Sequence, residues 1–166
     1  MSQEPALVIE PLESTHDRQG FQCGNDALDT YLKQQASQDT NRRICRVYVA
    51  VDPAKPASIL GFYTLSTSAI ELSSLPESQA RKLPKHPLPA ALLGRLAISR
   101  SQQGTGLGRL LLANAIRRTL AVSDQIGIYA ILVDAIDEDA RGFYHHYGFV
   151  SLQSPGHRLF LPLKSI

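Results

Sequence analysis

Tryptophan is missing from this chain, cysteine occurs only at Cys23 and Cys45, and no apolar run approaches the roughly 20 residues of a membrane-crossing helix. A helical membrane span is therefore not expected. The two cysteines are well separated and neither has a CxxC partner, so they pair only if the fold brings them together. Free thiols in a reducing compartment are the expectation. Histidine shows no metal-ligand spacing: His145 and His146 are adjacent, while His16, His86 and His157 are scattered. No metal is expected. The stretch from Met1 to Leu12 carries Glu4 and Glu10 and lacks a basic-then-apolar signal pattern, which points to a soluble cytoplasmic protein. The formal net charge is only +2, too small to announce a nucleic-acid binder. The chain has no internal repeat and no low-complexity tail.

What is present suits one domain, residues 1–166, with a single core. Ala6 to Ile9 reads as a short strand. Asn25 to Gln38 reads as a helix capped at Asn25 or Gly24, with an apolar stripe of Leu28, Tyr31, Leu32 and Ala36. Arg46 to Val51 and Ser58 to Thr67 read as an antiparallel strand pair. Prolines at 76, 84, 87 and 89 forbid a long helix and leave room for a short one over Ser74 to Lys82. Next come a strand over Ala91 to Ile98, a helix over Leu107 to Ser123, and a buried strand over Ile128 to Ala135. A helix over Asp137 to Tyr147 stops at Gly148. Phe149 to Leu152 and Leu159 to Leu163 close the chain as strands around a turn at Pro155-Gly156. This order predicts a mixed α/β sheet with a parallel crossover in its middle.

Glycines alternate in Gln103-Gly104-Thr105-Gly106-Leu107-Gly108, between the strand ending at Ile98 and the helix from Leu107. Glycine there lets the backbone turn sharply and lets a ligand approach the amides. The first helical turn leaves N–H groups unpartnered and its dipole favours negative charge, so the junction suits a phosphate or pyrophosphate. A P-loop would need Gly-Lys-Ser/Thr, but Arg109 and Leu110 follow Gly108. A dinucleotide fingerprint would need glycine at 109 or 111, where Arg109 and Leu111 stand. The remaining pattern is Gln-x-x-Gly-x-Gly. Basic residues cluster at Arg42, Arg43 and Arg46, at Arg81, Lys82 and Lys85, and around the loop at Arg95, Arg100 and Arg109. Solvated element ends would explain such clusters as well as a binding role would.

The Gln103–Gly108 pattern is similar to the pyrophosphate loop of the GNAT acetyltransferases. Phe143-Tyr144 followed by Gly148-Phe149 is similar to the aromatic segment of the same family. The resemblance implies the GNAT acyl-CoA N-acyltransferase fold: a central, mostly antiparallel sheet, one parallel central crossover and flanking helices. It implies acetyl-CoA as co-substrate. Leu96, Ala97 and Ile98 would lie beside the pantetheine arm, and an amide near Ile98 would face the thioester oxygen. Gln103, Gly104, Thr105, Gly106, Leu107, Gly108 and Arg109 would bind the pyrophosphate. Tyr144 would be the general acid, since a neutral phenol with a pKa near 10 can donate to the departing thiolate. A core aromatic is the other reading of Tyr144, and His145, His146 and Tyr147 are rivals for the acid role.

Further segments resemble one branch, the GNAT toxins of bacterial type II toxin–antitoxin modules. They are Phe21-Gln22-Cys23-Gly24, Leu28-Asp29-x-Tyr31-Leu32, Gly61-Phe62-Tyr63-Thr64-Leu65-Ser66, Leu93-Gly94-Arg95-Leu96-Ala97 and Val133-Asp134-Ala135. His86 departs from the branch, which carries an aromatic before the proline. This resemblance implies acetylation of the α-amino group of aminoacyl-tRNA, blocking translation. An α-amino pKa near 8 needs no strong base, and Asp134 is a side candidate for the proton. Arg42, Arg43, Arg46, Lys85 and Arg95 would hold tRNA phosphates. A ribbon–helix–helix antitoxin is the implied partner, and a homodimer is open. The alternatives are a GNAT acting on a protein N-terminus, a lysine or a small amine, and a non-catalytic acyl-CoA-binding module.

Overall fold

The computed structural model describes residues 6–153 and 156–166. In chain order the elements are β1 (Val8–Pro11), α1 (Asp26–Thr30), α2 (Ala36–Asn41), β2 (Arg46–Val51) and β3 (Gly61–Ile70). Then follow α3 (Glu77–Ala80), β4 (Leu88–Ile98), α4 (Leu107–Ser123), β5 (Ala130–Asp134), α5 (Glu138–His146), β6 (Val150–Ser151) and β7 (Arg158–Pro162). The strands form one seven-stranded sheet in the order β1-β2-β3-β4-β5-β7-β6. The pairs β1/β2, β2/β3, β5/β7 and β6/β7 are antiparallel, and β4/β5 is parallel. A parallel pair cannot close through a tight turn and needs a crossover, which α4 provides. The mixed sheet with one central crossover is the architecture expected from the order of elements.

Tertiary contacts divide the chain into two compact units, Met1–Leu65 with Arg95–Ala115, and Ser66–Gly94 with Ile116–Ile166. In the first, Phe62 is buried on β3, with Phe21 edge-on at 5.5 Å and Tyr31 stacked at 6.4 Å. Leu28, Leu32, Ala36, Val47, Val49 and Ala97 complete this core. The expected stripe of Leu28, Tyr31, Leu32 and Ala36 is thus all buried, and the Asn25 side chain caps the helix by accepting from the Leu28 amide at 3.1 Å. The helix is not continuous α, however. A π-helical turn, Tyr31–Gln35, separates α1 from α2, and the Ala36 amide donates to the Tyr31 carbonyl. No proline or glycine marks that turn in the sequence, and the i,i+4 spacing of Leu28, Leu32 and Ala36 hides it.

In the second unit, Ile70, Leu75, Leu88, Ala90, Ala130, Leu132 and Phe160 cluster. Here the sequence underestimates β4, which begins at Leu88 and takes Pro89 into its first turns of pleat; the Pro89 carbonyl accepts from the Tyr129 amide at 2.8 Å. Proline is tolerated near a strand start because only its missing N–H is lost to the ladder. The helix expected over Ser74 to Lys82 shrinks to α3. Asp137 caps α5, accepting from the Ala140 amide at 2.8 Å, and Gly148 ends it with φ +94°. Of the expected closing turn, Pro155 lies outside the described residues.

One glycine is dictated by contact. A Cβ on Gly61 would fall 2.9 Å from Leu111 Cδ1 and 3.0 Å from the Ala97 carbonyl oxygen. The first turns of α4 and the end of β4 approach β3 too closely for a side chain. Gly61→Ala is expected to cost about 1–3 kcal/mol through overpacking, read as a lowered Tm in thermal unfolding.

Candidate active site

At the end of β4, Ala97 is buried and Leu96 and Ile98 are half-buried. A short 3-10 turn, Arg100–Gln102, leads into the glycine loop. Gly104 and Gly106 both have positive φ, +81° and +88°, and an added Cβ at either would touch nothing within 4 Å. These glycines are there for backbone conformation and open approach, not for packing. Among the described residues no acceptor meets the Gly104 or Gly106 amide. The first-turn amides of α4, from Leu107, Gly108 and Arg109, have no intrahelical acceptor by geometry. Together they make a run of donors suited to an anion. Leu107 is buried and anchors the turn, while Thr105 and Arg109 are exposed. The Thr105 hydroxyl donates back to the Gln102 carbonyl at 2.6 Å.

Gln103 does something the motif alone did not indicate. Its side-chain nitrogen donates to the Cys23 carbonyl at 2.8 Å and to the Ile98 carbonyl at 3.2 Å. The Arg100 amide donates to the Gln22 carbonyl at 2.8 Å. The Phe21-Gln22-Cys23-Gly24 segment therefore straps the loop from the N-terminal side. That segment is itself fixed: Gly24 has φ +92°, and the buried Asp29 accepts from the Cys23 amide at 3.0 Å. Burial first, then the Asp29 hydrogen bond, push the Cys23 thiol up to about 11. The thiol stays protonated and unreactive. Cys23 and Cys45 are both free.

Arg42, Arg43 and Arg46 are exposed; the first two follow α2 and the third opens β2. Arg43 has φ +59°, a left-handed conformation that usually belongs to glycine at this place in a helix end. The Arg43 amide donates to the Thr40 carbonyl at 3.1 Å and the Ile44 amide to the Asp39 carbonyl at 2.9 Å, the two bonds of a Schellman motif. An arginine held there against its steric preference is a functional candidate. Arg43→Gly is expected to stabilise the fold by about 1 kcal/mol, seen as a Tm rise of about 2–4 °C. Arg95, on β4, is half-buried with its guanidinium 3.6 Å from the Tyr31 ring centroid. Lys85 is exposed and belongs to the second unit.

Tyr144 also belongs to the second unit. It lies on α5, only 4% exposed, with edge-on rings at 5.3 Å (Phe143) and 5.6 Å (Phe149). Its hydroxyl takes no hydrogen-bond partner among the described residues. Burial, with the Asp134 charge second, pushes the phenol above its ordinary value. His145 contacts the Phe149 carbonyl at 3.0 Å and Ser151 at 3.2 Å, and His146 lies edge-on to Tyr147. Asp134 is held by Arg158 through two contacts, 2.7 and 3.1 Å.

A family model described as an acetyltransferase (GNAT) domain matches residues 89–162. Over 96% of this chain and 92% of the relative, the sequence is 33% identical to the probable toxin TacT of Sinorhizobium fredii (strain NBRC 101917 / NGR234). Over 90% of this chain and 89% of the relative, it is 35% identical to the tRNA-acetylating toxin of Mycobacterium tuberculosis (strain ATCC 25618 / H37Rv). A solved structure of a tyrosine-to-phenylalanine variant of KacT superposes with TM-score 0.91 and 38% identity, covering 96% of each chain. AtaT complexed with acetyl-methionyl-tRNAfMet superposes with TM-score 0.90 and 36% identity, again over 96% of each. A tyrosine-to-phenylalanine variant of AtaT, bound to the C-terminus of the antitoxin AtaR and acetyl-CoA, matches with TM-score 0.82 and 33% identity over 96% of this chain and 94% of that one. With the donor loop and the sheet built as described, the chain belongs to the GNAT acetyltransferases, in the group of the TacT, KacT and AtaT toxins, and is an N-acetyltransferase.

Proposed function

We propose that this protein is a toxin that transfers the acetyl group of acetyl-CoA to the α-amino group of an aminoacyl-tRNA and so blocks translation. The observation that carries the reading is the near full-length likeness, at 36% identity, to AtaT complexed with acetyl-methionyl-tRNAfMet. The amides of Gly104, Gly106 and the first turn of α4 hold the pyrophosphate. The strand residues Leu96, Ala97 and Ile98 run beside the pantetheine arm, with an amide near Ile98 stabilising the oxyanion. The neutral amine attacks the thioester carbonyl, the carbon–sulfur bond breaks, and Tyr144 donates to the thiolate. The unpartnered Tyr144 hydroxyl and its raised pKa support a proton-bearing role. Solvent takes the amine's proton. Arg42, Arg43, Arg46 and Lys85 hold tRNA phosphates.

Charged tRNA places the reaction in the cytoplasm; among the described residues no helix is long and apolar enough to cross a membrane. The regulating partner is a ribbon–helix–helix antitoxin, in keeping with the antitoxin-bound AtaT structure. The test is incubation with labelled acetyl-CoA and total charged tRNA. Label on aminoacyl-tRNA supports the proposal. Label confined to proteins or polyamines would replace the acceptor with a protein or small amine.

A further inference from the structure

Arg95 differs from the other half-buried arginines of the described structure. Arg141 donates to Ser151 and Arg158 to Asp134, while Arg18 contacts Ser37 and Arg118 also has a partner. The Arg95 guanidinium meets no acceptor among the described residues. Its Cζ lies over the Tyr31 ring, 3.6 Å from the centroid. Stacking occupies the face of a guanidinium and leaves the N–H edge free, the edge that binds a phosphate bidentately.

The surface beneath it is rigid. Tyr31 is 5% exposed and opens the π-helical turn. Its hydroxyl donates to Asp39 Oδ2 at 2.9 Å and contacts Cys45 Sγ at 3.2 Å, and its ring is backed by Phe62. Arg95 stands three residues before Ile98, about 10 Å along an extended strand.

We infer that Arg95 is a preorganised receptor for one phosphodiester at the acceptor end of the tRNA, and that Tyr31 is the positioning residue that aims it. This rests on the tRNA reading above. The coenzyme also carries phosphates, so the assay must vary both substrates.

The full chain is assayed with charged tRNA and acetyl-CoA varied in turn. Arg95→Lys keeps the charge and loses the fork, and is expected to raise KM for tRNA about 10-fold or more. Its KM for acetyl-CoA stays within about twofold of wild type. Tyr31→Phe keeps the ring and changes tRNA KM less than about threefold, whereas Tyr31→Leu removes the stacking face and raises it about 10-fold. The double variant Arg95→Lys/Tyr31→Leu is no worse than the worse single variant, because one interaction is lost twice. A rise confined to acetyl-CoA KM overturns the assignment in favour of the coenzyme. Additive losses, or equal effects of Phe and Leu at 31, overturn the positioning role. Inorganic phosphate followed by the Arg95 Nε–H NMR signal tests the receptor apart from the tRNA reading. A shift seen in wild type and lost in Tyr31→Leu supports it, even where wild type labels no aminoacyl-tRNA. The absence of any shift overturns it.

Discussion

Tyr144→Phe is expected to lower kcat for aminoacyl-tRNA acetylation by about 100-fold to 10,000-fold, the usual yield of a positioned general acid. KM for acetyl-CoA and Tm should stay close to wild type. The hydroxyl has no partner among the described residues, so deleting it leaves no buried donor or acceptor stranded. The ring contacts with Phe143 and Phe149 survive in phenylalanine. Single-turnover kinetics, acetyl-CoA binding and thermal unfolding separate the chemical role from a core role. A core aromatic would keep its rate.

The pH profile follows from the same environment. Burial and the Asp134 charge raise the phenol's pKa, so it stays protonated through the physiological range. The acidic limb then belongs to the acceptor, and kcat/KM rises with pH until the α-amino group, pKa near 8, is neutral. No falling limb from Tyr144 is expected below about pH 10. Linkage has a definite sign. A pKa raised on folding contributes stability that is present below the unfolded phenol's value, near 10, and is lost as pH rises beyond it. Tyr144→Phe should therefore be less sensitive to alkaline unfolding than wild type. A wild-type profile falling between pH 8 and 9 would point to a different acid.

Reversing two charges between the end of α2 and the start of β2, Arg43→Glu with Arg46→Glu, is expected to cost about 100-fold or more in kcat/KM for tRNA. Each lost charge-assisted hydrogen bond to phosphate is worth about 1.5–3 kcal/mol, and carboxylates then repel the backbone. The loss should fall on KM for tRNA and leave acetyl-CoA binding intact. The salt dependence should also flatten, by about 0.7 to 0.9 in log–log slope for each phosphate contact removed. Both side chains are exposed, and Arg43 already sits in a strained conformation, so stability should change little. Acetylation of charged tRNA that survived the double reversal would remove this surface from the tRNA interface. Arg43→Gly separates the effects within one residue, because it should raise Tm while weakening tRNA use.

Local sequence made much of this legible. Period-two and period-3.6 patterns located the strands and helices, since burial of one face leaves its mark at fixed spacing. Arg46–Val51 and Leu107–Ser123 fall at the expected bounds. Gly104 and Gly106 announced a donor-rich turn because positive φ is cheap only for glycine. The excluded nucleotide motifs narrowed its ligand. Elements whose limits depend on neighbours were less legible. β4 extends through Pro89, and α3 is shorter than its pattern suggested.

By itself the sequence determined the order of elements, the glycine loop and the tyrosine after Phe143, because each is written in contiguous residues. Only the tertiary structure decided what joins distant positions. Gln103 is spent on the Cys23 and Ile98 carbonyls, and Gly61 is small because Leu111 and the Ala97 carbonyl crowd it. Arg95 lies on Tyr31 across a π turn that no residue type signals. Such contacts depend on which surfaces the sheet and helices bring within a few ångströms, and spacing along one segment cannot encode that.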